Sequence, residues 1–202
     1  MSVTAPLPRT TISFDTWSTL FEDAAEDGDD EFDGGIYSGS DGRAPRVAIR
    51  VLKQEFWSEY DKFLKSDNFA ALFSLADRYR KCLRGEICFD PILGRALPHA
   101  KQASDFDRIR RIAQIGELFH PATNSFARIV QAYCYLATGH EASAYAIVKI
   151  MDKPLTALAV ASKSVEEKQP AVSKQLNELR EFFEAADNAT EKESDHFHNL
   201  KI

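Results

Sequence analysis

Residues 46–84, RVAIRVLKQEFWSEYDKFLKSDNFAALFSLADRYRKCLR, decide the fold. Ile49, Leu52, Phe56, Tyr60 and Phe63 recur three or four positions apart, the interval that puts side chains on one face of an α-helix. The spacing predicts a helix over 46–65. Phe69, Leu72, Phe73, Ala76, Tyr79 and Leu83 repeat the pattern and predict a second helix over 68–84. Ser66 and Asp67 suit the cap between them, and Gly85 suits a left-handed stop. A strand would need alternation at every second residue, which neither segment has.

The same period continues downstream. Ser104 with Asp107 resembles a capping box and opens a helix to about His120, carrying Phe106, Ile109, Ile112, Ala113 and Leu118 inward. Thr123 or Asn124 caps the next, which runs through Thr138 with Phe126, Ile129, Val130, Tyr133, Cys134 and Ala137 inward. A fifth helix, 141–151, packs Ala142, Tyr145, Ala146 and Ile150. Pro154 and Pro170 stand at helix-entry positions for segments 154–166 and 171–186. In the last, Val172, Leu176, Leu179 and Phe183 form a narrow seam, suited to docking on a neighbour or to self-association with a second copy. Residues 86–103, EICFDPILGRALPHAKQA, hold two prolines and a glycine and read as a long loop, functional or mobile. The expected fold is all-α, a compact domain of about seven helices arranged as helical hairpins.

Charge divides the chain differently. Residues 1–45 carry ten acidic side chains against two basic ones, and residues 46–186 carry seventeen acidic against twenty-one basic. The organisation that follows is an acidic arm (1–45), a helical domain (46–186) and a short disordered tail (187–202). Within the arm, 24–43 reads as a flexible acidic linker, too polar to offset its ordering entropy. Ahead of it, a short amphipathic motif (13–23) aligns Phe14, Trp17, Leu20 and Phe21 beside Asp15, Glu22 and Asp23. Such a helix fits an apolar groove with a basic rim on a protein partner, and phosphorylation near Ser18 or Thr19 would tune it.

Basic residues crowd two places in the domain. Arg78, Arg80, Lys81 and Arg84 close the second helix with Tyr79 among them, and Arg108, Arg110 and Arg111 lie early in the third. A surface of this kind tracks phosphates, with the tyrosine free to stack on bases. RNA or another nucleic acid is therefore the alternative partner.

Residues 126–154, FARIVQAYCYLATGHEASAYAIVKIMDKP, resemble one tetratricopeptide-style hairpin. The likeness lies in Ala132-Tyr133, Gly139 at the turn, Ala142 and Pro154. It covers one seventh of the chain, and no second copy follows at a spacing of about 34 residues. The overall layout is similar to that of small viral or phage accessory proteins, such as polymerase cofactors and silencing suppressors.

Signatures of catalysis and cofactors are missing. Cys82 and Cys88 are six apart with His99 next, which makes no short zinc knuckle, and His196 and His198 lie in the expected tail. No phosphate loop, G-x-S-x-G or H-E-x-x-H occurs. No metal or cofactor is expected, and the expectation is a non-enzyme. A helical enzyme remains the third reading, with Asp90, His99 and Asp105 as its candidate residues. No apolar run reaches the roughly 18 residues of a membrane span, so no membrane partner is expected. Three cysteines and no secretory leader pattern suit an intracellular compartment, cytoplasm or nucleus.

Overall fold

The computed structural model describes residues 46–199, with side chains over 49–191. Across that span the chain is all-α, with eight helices, one 3₁₀ turn and no strand among the described residues. The helices are α1 (Arg46–Lys65), α2 (Phe69–Tyr79), α3 (Asp90–Ala96), α4 (Ala103–Phe119), α5 (Phe126–Ala137), α6 (Glu141–Lys149), α7 (Pro154–Val165) and α8 (Pro170–Asn199). The 3₁₀ turn, Leu97–His99, follows α3 directly. Successive helices pair as α1/α2, α4/α5, α5/α6 and α7/α8. Between pairs, α2 lies on α4, α3 touches α4 and α5, and α8 returns across α5 and the 3₁₀ turn.

The anticipated long loop at 86–103 is the main correction. Its apolar residues Ile87, Phe89, Ile92, Leu93, Ala96 and Leu97 are all buried, and from Phe89 onward they fall at the three-to-four spacing of a short helix. Pro91 and Pro98 occupy first-turn positions of α3 and of the 3₁₀ turn. There a missing N–H has no intrahelical partner to lose. The prolines that suggest a loop are helix starts.

Phe89 is the centre of this plug. Its ring lies 5.4 Å from Trp57, 5.6 Å from Tyr60 and 6.0 Å from Phe119. Phe56 closes the cluster, edge-on to Phe119 at 5.2 Å and to Tyr79 at 5.7 Å. Such edge and tilted pairs add to the apolar burial that dominates a core. Gly116 makes the approach possible. A Cβ built there would stand 2.9 Å from the Cβ of Phe89, inside any normal contact.

Capping follows the expected chemistry at shifted positions. Asn68, not Ser66 or Asp67, caps α2 and accepts from Ala71 N at 3.1 Å, while Asp67 takes the left-handed turn at φ 54°. The box opening α4 is Gln102 with Asp105 rather than Ser104 with Asp107. Asp105, fully buried, accepts from the backbone N–H groups of Lys101 and Gln102 at 3.0 and 3.1 Å. Ser125 caps α5. Asn124 instead ties two loops together, exchanging 2.9 Å bonds with the backbone of Asp152.

In α6 the buried face differs from the expected one. Ala144 and Val148, with Met151 beyond the helix, point inward; Ala142 and Ala146 are exposed, and Ile150 is 63% exposed. Alanine burial is worth little, so the Val148 face wins the contact with α5. The 126–154 segment does form a hairpin about Gly139, whose φ of 76° suits the turn. The last helix runs to Asn199, past the anticipated end at 186, through residues that include no proline or glycine. Tyr145 reaches this stretch, donating to Asp187 Oδ1 at 3.1 Å.

Truncating Phe89 to Ala should remove about 3–5 kcal/mol, and Gly116→Ala should cost about 1–3 kcal/mol through overpacking. Urea denaturation of each full-chain variant reads both. Equal stability of Phe89→Ala and the parent would mean that α3 is not part of the core.

Candidate functional site

Three surfaces are at issue, and the structure treats them differently. The amphipathic motif with Phe14, Trp17, Leu20 and Phe21, together with the acidic linker, lies outside the described residues. The seam Val172, Leu176, Leu179 and Phe183 lies within them and is buried at 0–2% exposure in the chain's own core. Self-association through these residues is therefore corrected: α5, α6 and α7 already cover them. A four-three-four repeat is equally the signature of a helix docked on its own domain.

The basic surface splits into two unlike groups. Those on α4 are spent internally. Arg108, with its side chain only 12% exposed, donates to Asp67 Oδ1 at 2.8 Å and to the backbone of Leu64. Arg110 pairs with Asp107, donates to Tyr135 Oη at 3.2 Å and stacks over that ring. Arg111 binds the other oxygen of Asp107 at 2.8 Å and lies over Phe69 at 5.2 Å. Arg108 turns to Asp67, while Arg110 and Arg111 share Asp107 three and four residues before them and lie over different rings. They do not form one phosphate-facing row.

The second group remains at the surface. Arg78 bridges to Glu59 at 3.6 Å, and Arg80 to Asp77 at 2.9 Å, all four side chains well exposed. Lys81 and Arg84 are exposed and take part in no ion pair among the described residues. Tyr79 is not available for base stacking. Its ring is buried against Phe56, and its hydroxyl faces Glu55 Oε2 at 3.5 Å. Two further cations, Arg50 and Lys53, escaped the sequence argument because they are dispersed along α1. There Arg50 is exposed and Lys53 half-buried.

The enzyme candidates separate as well. Asp105 is committed to its cap, and His99 sits exposed in the 3₁₀ turn. Asp90, in the first turn of α3, has Cys88 and His120 as neighbours. Partial enclosure raises its carboxyl above the ordinary range, opposed by the charge of His120 and by the Cys88 hydrogen bond. Cys88 is pushed upward in turn, by enclosure first and then by the Asp90 charge. An activated thiol needs the reverse shift, so this trio is not arranged to hold a thiolate. Cys134 is buried, and its thiol is also pushed up by burial. Among the described residues no group of His, Cys, Asp and Glu is placed to hold a metal ion. No helix among them is long and apolar enough to cross a membrane.

No protein-family model, curated protein or solved structure matches the chain. The functional argument therefore rests on its own residues.

One titration is accessible to measurement. Burial, then the neighbouring Glu178 carboxylate at 3.3 Å, pushes the Tyr133 phenol up to about 12. Because its folded value is raised, the stability it contributes is complete below the ordinary phenol value of about 10. That stability is lost as pH rises through about 12. Burial also raises the phenols of Tyr60 and Tyr79, so alkaline absorbance titration should show several late phenols, of which the Tyr133 one moves to lower pH in Glu178→Gln and is missing in Tyr133→Phe. A Tyr133 signal already titrated at its ordinary value would contradict the burial.

Proposed function

We propose that the chain is a non-enzymatic interaction protein: a helical scaffold carrying an acidic arm whose Phe14, Trp17, Leu20 and Phe21 engage a protein partner. The supporting observation is a contrast in how apolar stripes are used. On the body, the stripes of α1, α2, α4, α5 and α8 are sealed against one another. The remaining acid-flanked stripe is the one at 13–23, and it combines Trp and Phe anchors with charges that select a basic-rimmed groove. Recruitment by such a segment pays ordering entropy, so affinity is modest and open to tuning at Ser18 or Thr19.

Nucleic-acid binding is the second reading, and Lys81 and Arg84 are the observation that favours it. Of the seven cations it invokes, five already have acidic partners. That leaves a small footprint with a shallow salt dependence, a slope of about −2 for two neutralised phosphates.

The test immobilises the full chain and compares captured proteins with those held by Trp17→Ala/Phe21→Ala. Loss of two aromatic anchors should weaken a true partner by about 100-fold or more, since each hot spot carries about 2 kcal/mol or above. A capture profile unchanged by the double substitution sinks the proposal. Filter binding of RNA at two salt concentrations examines the second reading in parallel.

A further inference from the structure

We draw no further inference here: the strongest candidate, the surface carrying the exposed apolar side chains Ile150, Leu155 and Val160 at the end of α6 and along α7, carries none because nothing in the structure shows what covers it.

Discussion

Phe89 can enter the core because Gly116 has no side chain, and the relative placement of α1, α2 and α4 follows from that fit. The Phe89 ring is held between Trp57 and Tyr60 of α1 and Phe119 of α4. Immediately upstream, Gly85 at φ 79° donates its N–H to Phe119 O at 3.3 Å. The segment after α2 is therefore pinned at two points to the last turns of α4. One end of that clamp is steric and the other is a hydrogen bond. Close-packed interiors tolerate neither a void nor an added methyl at such a point, so the first hairpin is fixed rather than loosely tethered.

Apolar burial is non-directional, and the later helices use polar ties to set their register. Glu117 accepts from both Arg128 and Gln131, joining α4 to α5, with Gln131 Nε2 at 2.7 Å. Asn124 and Asp152 join the loops before α5 and α7. Ser162 meets the Ser173 hydroxyl at 2.9 Å in the buried seam of α7 and α8. A buried polar pair with its hydrogen bonds made contributes little net energy, but any slip that leaves it unmade is costly. Sliding either helix by one turn would strand both hydroxyls. These ties explain how helices rich in alanine and serine, which offer small apolar stripes, still take one arrangement.

The sequence makes some of this plain and hides the rest for physical reasons. Large aromatics at three-to-four spacing mark α1 unambiguously, and its bounds match the expectation at 46–65. Where the residues are small, the face is set by tertiary contact, and α6 turned Val148 inward where Ala142 and Ala146 were expected. Proline misled at 86–103 because its meaning depends on position within a turn, which composition cannot supply. For the cations, charge is visible in a sequence and partners generally are not. One signal was nevertheless present: Asp107 stands three and four residues before Arg110 and Arg111, the spacing of intrahelical ion pairs. The partnership of Arg108 with Asp67, forty-one positions away, had no such local trace.

The start of α1 carries a charge arrangement that a helix does not favour by itself. Arg50 falls near its first turn, where acidic groups stabilise by about 0.3–1 kcal/mol and cations oppose. An anion settling there would relieve that unfavourable term. By linkage, an anion that stabilises the beginning of α1 is held more tightly when α1 is formed. The cost of leaving the Arg50 charge uncompensated falls on the early turns of α1, away from the Phe89 clamp at Trp57 and Tyr60.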